Sequence, residues 1–109
     1  GAHVVLNTLG AIAFQPSWDA LGQFGRLVML GDLTGGEVAF RPVELLFKDL
    51  RIMGVSGVSR RHLEDVARMA AVGAVRPVVS KTFPLEEAGE AYRMMAERRI
   101  FGRLVLVPG

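Results

Sequence analysis

The segment HVVLN (residues 3–7), followed by TLG (8–10), decides the fold of this chain. Its centre is continuously apolar and rich in β-branched residues, and turn-forming residues follow at once, which predicts a strand buried on both faces. Two further runs have the same character, GRLVMLGD (25–32) and LRIMGVSG (50–57). Such strands, joined by helical crossovers, have to be parallel.

Helical segments separate these three strands. Residues 11–23 are expected to be helical, with the regular part beginning near Phe14 or Gln15, because Pro16 fits only a first turn. A short helix is expected after Pro42, beyond a loop over 33–40. The apolar residues at helical spacing are Trp18 and Leu21 in the first helix and Val43, Leu46 and Phe47 in the second. The resulting β-α-β-α-β order predicts an α/β fold, half of a Rossmann-like parallel sheet.

The remaining residues, 58–109, predict an α-β-α-β segment. Ser59 can cap its first helix, and Gly73 stands where that helix should end. Pro77 indicates an edge strand. The expected elements are a helix over 60–72, a strand over 75–83, a helix over 85–98 and a strand over 103–109. The residues expected to face inward from the first of these helices are Leu63, Val66, Ala67 and Ala70.

Composition narrows the functional classes. The chain has 109 residues, 50% of them hydrophobic, which indicates one small folded domain and argues against disorder. No apolar run approaches the roughly 18 residues of a membrane span, and no signal peptide is recognisable. The absence of cysteine excludes disulfides and thiolate metal sites and favours a cytoplasmic location.

Charge gives little support for nucleic-acid binding. The net charge is +2, and basic residues concentrate in SRRH (59–62) and ERRIFGR (97–103). Solvated helix ends explain such clusters, and contact with an anionic cofactor is the alternative. No aromatic residues interleave with the basic ones, as base stacking would require.

Familiar catalytic motifs are missing. The glycine fingerprint G-x-G-x-x-G is absent, GVSG (54–57) has the wrong spacing, and no Lys-Ser or Lys-Thr follows GDLTGG (31–36). The two histidines, His3 and His62, are far apart and lack partners at metal-ligand spacing, so no metal site is expected. No residue qualifies as a catalytic acid or base, and the catalytic residues stay unknown.

The position of the strand ends is more informative than any motif. Three predicted strands end in NTLG (7–10), LGD (30–32) and VSG (55–57). All three ends carry glycine or small residues, which let a ligand approach the backbone closely. Ligands of open parallel sheets bind at the carboxyl ends of the strands, so a planar, polar ligand is expected across these ends.

In order and spacing, four segments resemble the C-terminal part of the medium-chain dehydrogenase/reductase superfamily, which includes zinc-type alcohol dehydrogenases, quinone oxidoreductases and polyketide enoyl reductases. The segments are GAHVVLNTLG (1–10), LGQFGRLVMLGD (21–32), VELLFKDLRIMGVSG (43–57) and VRPVVSKTFPLEEAGEAYRMMAERRIFGRLVLVPG (75–109). The likeness leans toward the zinc-independent quinone and enoyl reductase branch without settling it. It implies that residues 1–57 are the second half of a Rossmann cofactor-binding domain and 58–109 a return segment to the catalytic lobe.

The resemblance also implies a set of cofactor-binding residues. Thr8, Leu9 and Gly10 would border the nicotinamide ribose, and Asn7, directly before them, is counted with the cofactor-binding residues. Those offering backbone groups to the nicotinamide are Leu30, Gly31 and Asp32. Val55 and Ser56 would hold its carboxamide, and Arg103 would lie near the phosphates. Two positions depart from the family pattern: His3 replaces a common Asp, and Phe24 replaces a glycine, with an expected effect on local packing.

The implied activity is hydride transfer between NAD or NADP and a small-molecule carbonyl, quinone or enoyl substrate. This part of such an enzyme would contain no metal, would be inactive alone and would bind dinucleotide weakly or not at all. The apolar strand near 50–57 is expected to pair with its copy in a homodimer. The alternative is a self-standing α/β binding or oligomerisation module without catalysis. No nucleic-acid or membrane partner is expected.

Overall fold

A computed structural model describes all 109 residues of the chain, which divide into two compact units, Gly1–Gly57 and Val58–Gly109. The strands are β1 (Ala2–Asn7), β2 (Leu21–Met29), β3 (Arg51–Gly54), β4 (Val79–Pro84) and β5 (Arg103–Val107). The α-helices are α1 (Phe14–Asp19), α2 (Pro42–Phe47), α3 (Arg60–Ala71) and α4 (Ala88–Ala96). Short 3-10 turns, Gly10–Ala13 and Leu85–Glu87, precede α1 and α4.

The first unit contains a three-stranded sheet in the order β1-β2-β3, with every pair parallel. In its register Val5 lies beside Leu27, and Leu27 lies beside Ile52. The α/β fold with parallel strands and helical crossovers, predicted from the three apolar runs, is confirmed.

The core of the first unit lies between the sheet and its helices. Its buried members are Phe14, Trp18, Leu21, Leu27 and Leu50, and its partly buried neighbours are Val5, Met29 and Leu45. The Trp18 side chain spans from α1 to α2, where its Nε1 donates a 2.8 Å hydrogen bond to Glu44 Oε2. Burying each large apolar side chain stabilises the fold by about 1.5–3 kcal/mol, so this cluster holds the crossovers against the sheet.

The prediction of a helix over 11–23 was wrong at its C-terminal end. The α-helix ends at Asp19, and β2 begins at Leu21 rather than at Gly25. Pairing explains the difference, because Leu21 lies beside Ala2 in the sheet and Ala2 N donates to Ala20 O at 2.7 Å. Leu21 is buried, as predicted, but it belongs to a strand and not to a helix.

Two further details of the first unit differ from expectation. In α2, Leu45 packs against the core, whereas Leu46 and Phe47 are exposed. Phe24 has a φ of 61° and a 70% exposed side chain. Its departure from the family glycine therefore strains the backbone rather than altering packing, because a bulky L-residue is disfavoured in the left-handed region.

The second unit contains a parallel β4–β5 pair with α3 and α4, which confirms the predicted α-β-α-β order. Ser59 caps α3 by accepting a 3.1 Å hydrogen bond from His62 N, and Gly73 has a φ of 75° just beyond that helix. The residues expected to face inward from α3, Leu63, Val66, Ala67 and Ala70, are not covered by any part of this chain. Its apolar side chains are exposed, and the buried residues of this unit are Phe83 and Ala91.

None of the four helices is long and apolar enough to cross a bilayer. The longest, α3, has 12 residues.

Candidate functional site

The carboxyl ends of the three parallel strands lie side by side in the first unit. Leu30 N donates to Asn7 O at 2.8 Å just beyond β1 and β2, and Val55 N donates to Met29 O at 3.0 Å beyond β2 and β3. These two hydrogen bonds extend the ladders past the regular strands. The three segments that the sequence marked as strand ends therefore meet at one edge.

Asn7 shapes the turn after β1 with its side chain. It is 2% exposed, and its Oδ1 accepts hydrogen bonds from Leu9 N at 2.9 Å and Gly10 N at 2.7 Å. Its Nδ2 donates to Gly10 O at 3.1 Å. All of these bonds are local, so Asn7 fixes the backbone of the turn and has no group turned toward a ligand.

Asp32 connects the turn after β1 to the loop after β2. Its Oδ1 accepts from Ala11 N at 3.2 Å and from Thr34 N at 3.4 Å. Gly10 allows this approach, because it has a φ of 77° and a Cβ there would overlap Oδ1 and lie 2.5 Å from Asp32 Cα. Only glycine fits at this position.

A cleft of about 860 Å³ opens at these strand ends, within the size range of small-molecule sites. Its lining is mostly apolar. The lining residues are Ala11, Phe14, Met29, Leu30, Gly31, Asp32, Gly36, Val38, Phe40, Ile52, Gly54, Val55, Ser56 and Gly57. Asp32 is the one charged side chain among them.

The structure brings most of the proposed site residues to this cleft. The predicted residues that line it are Leu30, Gly31, Asp32, Val55 and Ser56. The predicted residues that form the adjoining turn are Asn7, Thr8, Leu9 and Gly10. The turn contacts the lining closely, since a Cβ on Gly31 would lie 2.8 Å from Thr8 O. Arg103 lies in the second unit, exposed at the start of β5, with its backbone amide bonded to Val78 O.

Sequence reasoning missed the apolar side of the cleft, which includes two aromatic residues. Phe40 packs against Trp18 with ring centroids 5.1 Å apart and against Phe14 at 6.2 Å. Phe40 belongs to the segment 33–40, which was expected to be a plain loop. Its one available signal is the spacing of the two large apolar residues in GEVAF (36–40), since Val38 and Phe40 are two residues apart and would lie on the same side of an extended segment.

The lining suits a planar group with a few polar atoms. Apolar side chains can cover the faces of a ring, and the Ser56 hydroxyl and the strand-end backbone can bond its polar edge. The backbone beside Ser56 is open, because a Cβ on Gly54 or Gly57 would meet nothing within 4 Å. This arrangement can bind and orient a ligand, and it offers no nucleophile paired with a base.

No group of three or more His, Cys, Asp and Glu side chains is arranged to hold a metal ion. The two histidines are both exposed, and the backbone amide of His62 is used in capping α3.

Comparison of the sequence with known families gives a clear result. Residues 1–106 match the profile of a family described as zinc-binding dehydrogenase. The acryloyl-coenzyme A reductase of Metallosphaera sedula is 31% identical over 105 residues, which are 95% of this chain and 32% of that protein. The highly reducing polyketide synthase easB of Emericella nidulans is 31% identical over 115 residues, covering 97% of this chain and 4% of that protein.

A solved structure of similar fold was determined with ligands. The 2-octenoyl-CoA carboxylase reductase CinF, in complex with NADP and 2-octenoyl-CoA, matches with a TM-score of 0.83 and 30% identity, over 95% of this chain and 24% of that protein. The chain thus spans about a third of the length of the acryloyl-coenzyme A reductase and a smaller share of the other two relatives.

Proposed function

Because this chain belongs to the zinc-binding dehydrogenase family, within the medium-chain dehydrogenases/reductases, we propose that it forms the nicotinamide-binding part of an NAD(P)-dependent oxidoreductase. The observation that carries the proposal is the cleft at the carboxyl ends of three parallel strands, where such sheets bind their ligands. The substrate class is a carbonyl, a quinone or an activated alkene.

The relatives favour the activated alkene. The acryloyl-coenzyme A reductase is named for reduction of an enoyl thioester, and CinF is described with NADP and 2-octenoyl-CoA. We therefore favour NADP as the cofactor and an enoyl thioester as the substrate. An alcohol substrate is the second choice, supported by the NAD-dependent alcohol dehydrogenase of Saccharolobus solfataricus, 30% identical over 89 residues.

The proposed roles of individual residues come from the family resemblance, and the places of the lining residues in the cleft support them. Leu30 and Gly31 would face the nicotinamide with backbone groups, and Val55 with Ser56 would hold its carboxamide. The turn of Thr8, Leu9 and Gly10, fixed by Asn7, would border the ribose. Arg103 would pair with a cofactor phosphate, as guanidinium groups do. When bound, the nicotinamide supplies the hydride, and these residues supply position and exclusion of water.

The two units have different proposed places in the enzyme. Residues 1–57 form the second half of the cofactor-binding domain, and 58–109 return to the catalytic lobe. The exposed apolar side chains of α3, such as Leu63 and Val66, support the second assignment, because such a face is stable in water only when another surface covers it. The chain by itself is accordingly expected to be inactive.

The edge of the first sheet supports a homodimer. β3 pairs with β2 on one side only, and its members Ile52 and Met53 are 38% and 40% exposed. Unpaired backbone groups on an apolar edge strand readily pair with another strand. We propose that residues near 50–57 pair with their copy.

The test of the oxidoreductase proposal is an assay of the complete protein that carries this chain. NADPH and NADH are mixed in turn with an enoyl thioester, a quinone and an aldehyde, and loss of the dihydronicotinamide absorbance is followed. The expected result is consumption of one cofactor with one substrate class. Failure with every combination, for a protein that is folded, would favour the self-standing binding or oligomerisation module.

A further inference from the structure

The side chain of Asp32 lines the cleft, but the role proposed for this residue involves only its backbone. The purpose of the carboxylate is therefore a separate question. The carboxylate lies among side chains and backbone that are otherwise uncharged. It takes part in none of the four ion pairs of the chain. A carboxylate without a cationic partner is not neutralised by the protein, so it can attract a cation that binds beside it.

Hydrogen bonding alone does not require a charge at this position. Oδ1 accepts from Ala11 N and Thr34 N, whereas Oδ2 accepts no hydrogen bond from the protein. A neutral amide oxygen could accept the same two bonds. A substitution can therefore remove the negative charge of Asp32 and keep the hydrogen bonds by which it joins the two loops.

The two states of a nicotinamide cofactor differ in charge at the ring. The oxidised ring is a cation and the reduced ring is neutral, while ribose and phosphates are the same in both. A nearby carboxylate attracts the cation and leaves the neutral ring nearly unaffected. Resting on the proposed nicotinamide site, we infer that the Asp32 carboxylate makes this cleft bind the oxidised cofactor more tightly than the reduced one.

The size of the effect is limited by solvent. Asp32 is exposed, so its charge is partly screened. An interaction of this kind at low ionic strength corresponds to about a threefold to tenfold difference in Kd and shrinks as salt is added. Repulsion between Asp32 and the phosphates is common to both cofactor states and cancels in the ratio of their Kd values.

The test is a titration of the ¹⁵N-labelled chain with NADP⁺ and, separately, with NADPH, at low salt. Amide shifts of Gly31 and Val55 give Kd even when binding is weak. The variants are Asp32→Asn, which keeps an acceptor, Asp32→Glu, which keeps the charge, and Asp19→Asn. The last is the matched control, because it removes one charge of the same unit outside the lining of the cleft. Amide exchange at Ala11 and Thr34 reports whether the loops stay joined.

The expected result is a preference for NADP⁺ in the wild-type chain that falls about threefold to tenfold in Asp32→Asn. The same preference should persist in Asp32→Glu and in Asp19→Asn. An unchanged ratio in Asp32→Asn, with both cofactors still bound, would overturn the inference and leave the proposed function intact. If neither cofactor binds the wild-type cleft, in the chain and also in the complete protein that carries it, the proposed nicotinamide site itself fails, and the inference fails with it.

Discussion

The side chain of Asn7 and the backbone of Gly10 are joined by two hydrogen bonds, one in each direction, at 2.7 and 3.1 Å. The end of β1 and the turn that follows it therefore form one rigid unit. Both groups are buried, so water cannot replace either bond without opening the turn. The shape of this edge of the cleft depends on one amide side chain.

Replacing Asn7 with alanine tests that dependence. Asn7→Ala leaves the amides of Leu9 and Gly10 without their acceptor, and we expect the free energy of unfolding to fall by about 2–3 kcal/mol. Trp18 is the only tryptophan and lies in the first unit, so its fluorescence in urea follows this loss. Thr8→Ala, at an exposed neighbouring position, should change the free energy of unfolding by less than about 0.5 kcal/mol. Equal effects of the two substitutions would contradict the role of Asn7.

A pair of glycine substitutions separates backbone strain from close approach. Gly10 and Gly35 both have positive φ, 77° and 64°, but a Cβ on Gly35 would meet nothing within 4 Å. Gly35→Ala should cost about 1 kcal/mol from the left-handed backbone alone. Gly10→Ala should cost about 3 kcal/mol or more, because its Cβ also displaces Asp32. Unfolding followed by Trp18 fluorescence measures the loss of stability in both variants. If Gly10→Ala loses no more stability than Gly35→Ala, the argument from close approach to Asp32 is refuted.

The strained Phe24 predicts a stabilising substitution. Its φ of 61° is unfavourable for a bulky L-residue, and its side chain is mostly exposed, so Phe24→Gly should raise the free energy of unfolding by about 1 kcal/mol. Phe47→Gly is the matched control, since that phenylalanine is 78% exposed but has no positive φ, so glycine relieves no strain there and is a poorer helix former. Thermal unfolding of the two variants should shift in opposite directions. A lowered midpoint for Phe24→Gly would show that its side-chain contacts outweigh the strain.

The proposed homodimer predicts the behaviour of an edge variant. Met53→Lys places a charge on the free edge strand and should convert a dimer to a monomer, because charged edges oppose strand pairing. Val4→Lys, on the strand at the other side of the sheet, should leave the dimer intact. Sedimentation velocity at high protein concentration gives the association state. A monomeric wild-type chain under these conditions would end the dimer proposal.

Local sequence pattern predicted the strands and their parallel order, because continuous β-branched runs between helical segments have few other solutions. It misplaced the start of β2, since the pairing of Leu21 with Ala2 is a tertiary contact that no local pattern records. The strand ends of the site were predictable from small residues. The aromatic side was not, because Phe14 and Phe40 meet only after the chain has folded back over the sheet.

The most direct test of the central claim asks which end of the dinucleotide contacts this chain. In saturation-transfer NMR, methyl groups of the chain are irradiated in the presence of excess NADP⁺, and the signal lost by nicotinamide protons is compared with that lost by adenine protons. The apolar residues lining the cleft, such as Val38 and Ile52, provide the nearby methyl groups. Stronger transfer to the nicotinamide protons is the predicted result. Transfer to the adenine protons that equals or exceeds it would contradict the assignment of this cleft as the nicotinamide site.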